Sequence, residues 1–477
     1  MATKETTTAV LVAVAAANKL PEAYLRKTSE AQQVAETALR IEERTARALD
    51  AIAAVLVKAP REEEISVGLQ VDYGSPGSVT ITVAANKNVP EAAVQHLTEI
   101  WTALCKLRSK YRAEQRNEKL KKQTYADETP PKPREAPLPA EYCELVKLVY
   151  GYSFAKFSRR LEKRHDKMMS AFNTLKNRLK SGELDDDDDT VLNLCFVLRN
   201  LRLFHNYGLS KIQEDQFVKD MTLAFFAFRR LQSEEEKSRT RAMLGASFED
   251  IWRHMEKGLS FQTAIMDLDR FSSSRRMSTI LAKSLIVNRL PAAVSAELPS
   301  QISDWQIAAQ DATKGLEPTD KLDTALHKAH TVHRGKRGVV HSELKLLEHF
   351  VTRPADSIPP LSYIGVSKLS CLGCWTAINA WNKTRDAPRY AVRGTHGKWY
   401  FPWAVPTGIA KDEQAGSRIY SDLQEEVVKC LRQHGLCHLR SDSSAGPANT
   451  QWISLNDERL TTEYRKKLLR EELEAGP

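Results

Sequence analysis

The sequence predicts a multidomain α+β protein, with a mostly helical N-terminal region followed by a C-terminal α/β domain. Three patterns carry that expectation. Before about residue 286, apolar residues recur mostly at three- and four-residue steps, the period of a helix with one buried face. Residues 65–83 alternate instead and contain Gly74-Ser-Pro-Gly77, which reads as a β-hairpin. Beyond Lys321, a short apolar strand separates two helix starts that both carry metal-ligand residue types. A chain of 477 residues holds roughly two or three domains. Its 42% hydrophobic and 27% charged content suits a water-soluble protein with real cores.

Taken in order, residues 6–57 read as helices rich in Ala, Glu, Arg and Leu, with a break near Pro21. The run Ala9-Val-Leu-Val-Ala-Val-Ala-Ala-Ala17 has the composition of a short secretory signal core. It follows Glu5 and a Thr run with a single Lys before it, and helix-forming sequence continues beyond it, so a folded helix is the better reading. Pro90 precedes a helix over 91–122, strongly basic from Lys106 onward; a solvated face accounts for this better than a nucleic-acid contact. Pro130, Pro131, Pro133, Pro137 and Pro139 make residues 127–139 a stiff linker. Next, Phe154, Phe157, Leu161, Met168, Phe172, Leu175 and Leu179 form an apolar stripe, the mark of a core or a partner-helix seam. The acidic run at 185–189 reads as a solvated loop rather than a cation site. Helical patterns resume at 191–204, 217–231 and 248–268, and no repeat period appears.

These readings divide the chain into a helical region with a hairpin at 1–125, a linker at 126–140 and an all-helical region at 141–305. A metal-bearing domain follows at 306–445, then a tail with a charged helix at 446–477. Residues 286–305 carry the crossing into the α/β domain, and 422–431 is a further helix.

The chemistry concentrates in His341-Ser342-Glu343 and Cys371-Leu372-Gly373-Cys374. One imidazole and two thiolates suit zinc, which is borderline soft, and three protein ligands leave its fourth position open to water. Glu343, two residues from His341, is placed to carry protons without joining the metal. Ser342, Leu344, Leu346, Leu347 and Phe350 read as a helix that opens at or near His341, residues 361–366 as a buried strand, and Cys371 and Cys374 as the start of a second helix. Thiols in a helix's first turn are favoured as thiolates by the positive end of its dipole. The order H-x-E, then C-x-x-C is the layout of a nucleobase-deaminase zinc site.

From about residue 321 to 406 the chain resembles the zinc-dependent deaminase superfamily with the cytidine deaminase-like fold. More narrowly, Tyr363-Ile-Gly-Val-Ser-Lys368, Cys371-x-x-Cys374 and Arg393-Gly-Thr-His-Gly-Lys398, with Tyr400, Trp403 and Pro406, resemble its largely fungal OTT-type branch. The resemblance implies a three-layer α/β/α domain, one zinc ion, and hydrolytic deamination of a base, nucleoside or nucleic acid of the cytosine or adenine type. Carried over, His341, Cys371 and Cys374 are the metal ligands and Glu343 is the general acid/base. Ser370 stands where many members have Pro, and no obvious substrate-binding Asn precedes His341. The rival reading is a non-catalytic zinc-binding interaction protein on a deaminase-like scaffold.

Other groups compete for attention. His327, His330 and His333 recur every third residue, either as a second metal face or, more commonly, as an ordinary polar helix face. Cys430, His434, Cys437 and His438 have a spacing that would close a structural site with the Cys371/Cys374 pair. Arg393, His396 and Lys398 lie on a Gly-bounded turn, where they face a substrate or simply solvent.

The net charge is +9, and between His333 and Val405 cations outnumber anions, a surround that attracts phosphate-bearing substrates. Trp375, Trp381, Trp399 and Trp403 are interleaved there, for stacking on a base or, in most cases, for the core. Seven cysteines form no regular framework, which points to a reducing intracellular compartment, cytoplasmic or nuclear. No apolar run is long enough to span a membrane. The expected partners are therefore a nucleobase, nucleoside or nucleic-acid substrate and no membrane, with the helical region available for self-association or a protein partner.

Overall fold

Strands Ile65–Val71 and Ser78–Ala85 pair antiparallel in the register Ile65↔Ala85 through Val71↔Val79. This is the hairpin that the alternation predicts. In the computed structural model, which describes residues 3–19, 43–59, 64–74, 76–124, 138–185, 187–275, 277–313, 317–384 and 389–438, it is the middle of a four-stranded sheet. On one side Ser284–Arg289 runs parallel to Ser78–Ala85; on the other Gly365–Val366 pairs antiparallel with Ile65–Val71. A two-stranded ribbon is marginal by itself, and the flanking strands complete it.

That pairing corrects the expected division of the chain. The described parts of 1–54, 63–94 and 283–449 form one compact unit, and those of 55–62 and 95–282 form another. The hairpin grouped by sequence with the N-terminal helices belongs to the sheet that also holds the strand between His341 and Cys371. Adjacent parallel strands need a crossover connection. Here the crossover between Ser78–Ala85 and Ser284–Arg289 contains 95–282, the bulk of the helical unit. Strand pairing across such a distance leaves no local periodicity to read. The linker core at 125–137 and the tail at 446–477 lie outside the described residues.

Within the sheet-bearing unit, helix Ser342–Val351 packs on the hairpin. Gly68 makes this approach possible: a Cβ there would lie 2.2 Å from Phe350 Cζ. Helix Leu372–Lys383 packs on Glu413–Gln433. Helix Lys4–Ala17 is enclosed by Ile302–Ala312, Asp320–His333 and Glu413–Gln433. Val10, Leu11, Val12 and Val14 are essentially without exposed surface, so the signal-like run is core. At about 1.5–3 kcal/mol for each such side chain, this helix is a substantial part of the unit's stability. The expected strand at 361–366 shortens to Gly365–Val366, with single bridges Tyr363↔Ala391 and Gln70↔Pro360 continuing its line. Among the described residues no helix is long and apolar enough to cross a membrane.

The other unit is helical throughout its described length. The predicted stripe is buried at Phe157, Leu161, Met168, Phe172, Leu175 and Leu179. Tyr150 sits at its centre, edge-on to Phe157 at 4.9 Å, Phe217 at 5.2 Å and Phe261 at 5.9 Å. In the acidic run, Asp188 caps helix Asp189–His205 and pairs with Arg239.

Candidate metal centre

His341 is the N-cap of Ser342–Val351, and Cys371 is the N-cap of Leu372–Lys383. The two helix starts converge. His341 Nδ1 lies 3.5 Å from Cys371 Sγ and 3.5 Å from Cys374 Sγ. All three ligand atoms fall within 4.8 Å of one another, and the residues are buried. Zn–S bonds near 2.3 Å and Zn–N bonds near 2.05 Å in a tetrahedron require N···S edges of about 3.5 Å, so this donor set fits zinc. His341 Nε2 is 3.3 Å from the Pro402 carbonyl, which can only accept. Nε2 therefore carries a proton, and Nδ1 is the ring nitrogen directed at the thiols, where a metal ion would take the place of its proton.

Electrostatics favour a cation. Burial works against the imidazolium of His341, yet Cys371 and then Glu343 raise its pKa from 6.5 to about 9. Burial also opposes a Cys371 thiolate, but the hydrogen bond from Cys374 and the His341 charge bring its thiol well below the ordinary value. Cys374 moves the other way, through burial and then Cys371. The three groups share protons that a divalent ion would displace. Beside them Glu343 is buried, its carboxyl raised by burial and then by Cys371. Its Oε2 takes a hydrogen bond of 3.3 Å from Ser342 Oγ and lies 3.8 Å from Cys374 Sγ. This carboxylate abuts the ligands without belonging to their cluster.

Residues 340–407 match the family model described as OTT_1508-like deaminase. This stretch is a deaminase-family domain. No curated protein and no solved structure matches the chain.

The rest of the deaminase segment supports the three candidate ligands. Trp403 Nε1 donates to Cys374 Sγ at 3.4 Å. Its indole lies against Gly373, where a Cβ would come within 2.9 Å of Trp403 Cε2. Trp375, Trp381 and Trp399 are buried as well, so all four tryptophans are core. Residues 394–398 run beside the second helix start: Ser370 N donates to Gly394 O, His396 N to Ser370 O and Leu372 N to Lys398 O. Proline at position 370 lacks the N–H for the first of these bonds. Ser370 thus adapts the departure from the superfamily pattern to this loop.

Arg393 and Lys398 are exposed on the same loop, and His396 is half-buried. Its pKa is lowered by burial, with Cys371 opposing. His396 Nδ1 accepts from Lys398 N at 3.1 Å, which leaves Nε2–H as a donor. Its ring meets Tyr400 edge-on at 5.1 Å.

Sequence reasoning missed the contribution of the hairpin. Asn86, just past Ser78–Ala85, accepts from Ser342 N at 3.0 Å and donates to Glu64 at 3.0 Å. Ser66 and Ser342 share a buried hydroxyl bond of 2.7 Å. Buried Lys345 donates to Ala85 O at 2.5 Å, and burial lowers its pKa to about 8. These bonds set the first turn of the His341 helix against the strand end. A second signal was available only in three dimensions: Glu64 acts on His341, Glu343, His396 and Tyr400 alike.

Among the described residues the competing groups do not gather. His330 Nε2 bonds the Ser300 carbonyl, His327 lies 4.0 Å from Asp323, and His333 packs edge-on to Phe401. Cys430 Sγ takes the indole N–H of Trp399. The side chains of Cys437 and His438 lie outside the described residues. Among the described residues, His341, Cys371 and Cys374 form the one metal-competent cluster.

Proposed function

We propose that the chain is a zinc-dependent hydrolytic deaminase acting on a nucleobase, nucleoside or nucleic acid of the cytosine or adenine type. One observation carries the reading: His341 Nδ1 stands 3.5 Å from both thiols with the buried carboxyl of Glu343 against them. His341, Cys371 and Cys374 would hold the ion. Zinc in such a site supplies Lewis acidity and lowers the pKa of water. Glu343, with its raised pKa, takes a proton from the attacking water, passes it to the ring nitrogen, and returns a proton to the departing amine. The net change adds water across the C–NH2 carbon and releases ammonia, leaving a carbonyl. His396, with Nε2–H as donor, and the exposed Arg393 and Lys398 serve substrate orientation at the rim. In this reading the sheet and its helices form the three-layer α/β/α core of the superfamily.

The second reading, a scaffold that holds zinc without turnover, draws on the enclosure of the site: His341 retains 4% exposure, Cys371 5% and Glu343 6%. A screen for ammonia release from free bases, nucleosides and oligonucleotides separates the two, with Glu343→Ala as the control. The enzyme reading expects turnover of at least one substrate class, with loss of about 10²–10⁴-fold in Glu343→Ala at full zinc content. Metal-dependent ammonia release that persists in Glu343→Ala removes the assigned role. Spectroscopy showing four protein ligands favours the scaffold.

A further inference from the structure

The helical unit carries a concentration of charge that deamination does not use. Asp250, on helix Phe248–Gly258, takes Arg164 at 3.1 Å and Lys167 at 2.5 Å. Arg253, His254 and Lys257 follow Asp250 at three, four and seven residues, so all four share one helix face. That helix lies close to Phe154–Glu162: a Cβ on Gly258 would sit 3.3 Å from Leu161 Cδ2. Arg160, from the latter helix, donates to Ser260 Oγ at 2.5 Å and lies over Phe261 at 4.7 Å. Arg164, Lys167 and Arg253 thus act on the Asp250 carboxylate, and Lys257 stands near Arg164 and Arg253 together with Arg160 and Lys163.

Three of them, Lys163, Arg253 and Lys257, are exposed and make no direct ion pair among the described residues, Arg253 acting on Asp250 only at longer range. Their crowding is felt: the Lys257 ammonium is disfavoured first by burial, then by Arg164, Lys163, Arg253 and Arg160. His254 lies on the same face, 2% exposed, with no hydrogen-bond partner for Nε2. His165 and His205 stack at 4.0 Å close by, and both act on His254. Helix His165–Lys180 begins here with no side-chain cap on its first amides, an end that favours anions. The helix dipole accounts for Arg160 and Lys257 in the last turns of their own helices. It accounts as well for Lys163, the C-cap of Phe154–Glu162, but not for Arg253, which joins them from the middle of its helix.

We propose that this face binds the phosphodiester backbone of a single-stranded nucleic acid. Unpaired cations on an exposed face neutralise phosphates at little desolvation cost. The stacked imidazoles offer flat surfaces suited to bases, for which an anionic membrane has no use. The inference stands apart from the deaminase reading, because binding is measured without turnover.

The test uses the full chain and a fluorescently labelled 20-nucleotide single strand, with anisotropy followed over a salt series. Lys163→Gln/Arg253→Gln/Lys257→Gln is expected to weaken binding about tenfold or more near 0.1 M salt and to reduce the log–log salt slope by about 2. Lys321→Gln/Lys328→Gln/Lys336→Gln removes the same charge from the other unit and is expected to change affinity less than about twofold. The three substituted side chains of the patch are exposed, and an unchanged melting curve confirms the fold. Equal loss in both triple variants reduces the effect to net charge and overturns the proposal, as does absence of binding by the unaltered protein. Binding to phosphatidylserine vesicles with none to the oligonucleotide assigns the face to a membrane and overturns it as well.

Discussion

Both units bury histidines. Among those described, His341 of the sheet-bearing unit is held in the opposite state to His96 and His254 of the helical unit, and to its own neighbour in chain order, His333, which burial lowers to about 4. In the helical unit, burial lowers His96 from 6.5 to about 3 and His254 to about 4. In the sheet-bearing unit His341 is just as enclosed, yet Cys371 and Glu343 overcome burial and raise it to about 9. Desolvation alone makes a buried imidazole neutral. An imidazole that stays cationic despite burial reports anionic neighbours that no protein cation satisfies, and such a cluster fits a metal ion. The helical unit spends its buried polar groups on its own cohesion: Tyr142 accepts from Gln262 at 2.6 Å, and Tyr111 donates to Asp269 at 2.6 Å. At the metal centre the corresponding groups converge on one point.

Cys371→Ala breaks this contrast most severely. The variant is expected to fall from one bound zinc equivalent to none by metal analysis. His341 then loses its main anionic neighbour, and its pKa, followed by NMR titration, drops toward the range of the helical unit's histidines. Where an ion is held by residues of two helix starts its binding is coupled to folding, so on the proposed reading the sheet-bearing unit also loses several kcal/mol, read as roughly 2–4 °C in melting temperature per kcal/mol. Retention of a full metal equivalent removes the ligand assignment.

A smaller effect follows from the indole that shields the second thiol. Trp403→Phe keeps a ring against Gly373 but deletes the donor to Cys374 Sγ. Outer-shell partners of this type affect metal affinity by about 10–100-fold. Competition with a zinc chelator is expected to show a loss in that range with little change in melting of the metal-loaded protein. An unchanged affinity would mean that the indole serves packing alone.

The four central residues were legible in the sequence because each stands at or near a helix start, where local pattern is informative. His341 and Cys371 are N-caps, and Glu343 and Cys374 lie within the first turns they open. Their support was not legible. Ser66, Asn86 and Glu64 reach the site through strand pairing, across the inserted helical unit, and nothing near His341 announces them. For the same reason the expected boundary at 306 divides a single sheet. A chain cut there loses Ile65–Val71 and Ser78–Ala85, which flank Gly365–Val366 and Ser284–Arg289. The helical unit was better read as structure than as chemistry: its apolar stripe follows a simple period, whereas the shared face of Asp250, Arg253, His254 and Lys257 becomes meaningful only once Arg164 and Lys167 meet it.

The gentlest probe of the contrast is acid. His96 stacks on Tyr152 with ring centroids 3.9 Å apart and interplanar angle 8°, and it is 2% exposed. The unfolded chain takes up a proton at His96 near pH 6.5, the folded chain only near pH 3. Its neutral state therefore contributes stability that is whole above pH 6.5 and is lost progressively as the solution is acidified toward pH 3. At pH 4.5 the loss from this one residue is on the order of 2–3 kcal/mol. His96→Phe keeps an aromatic ring on Tyr152 and cannot titrate. It is expected to cost about 1 kcal/mol at pH 7, for the hydrogen bond to the Val55 backbone, and to flatten the fall below pH 6.5. His254, which titrates folded near pH 4, keeps part of the slope in place. Urea denaturation at pH 7 and pH 4.5 measures both effects. An acid slope identical in His96→Phe and the unaltered chain would show that this ring is protonated without strain, and that enclosure by itself does not separate the helical unit's histidines from His341.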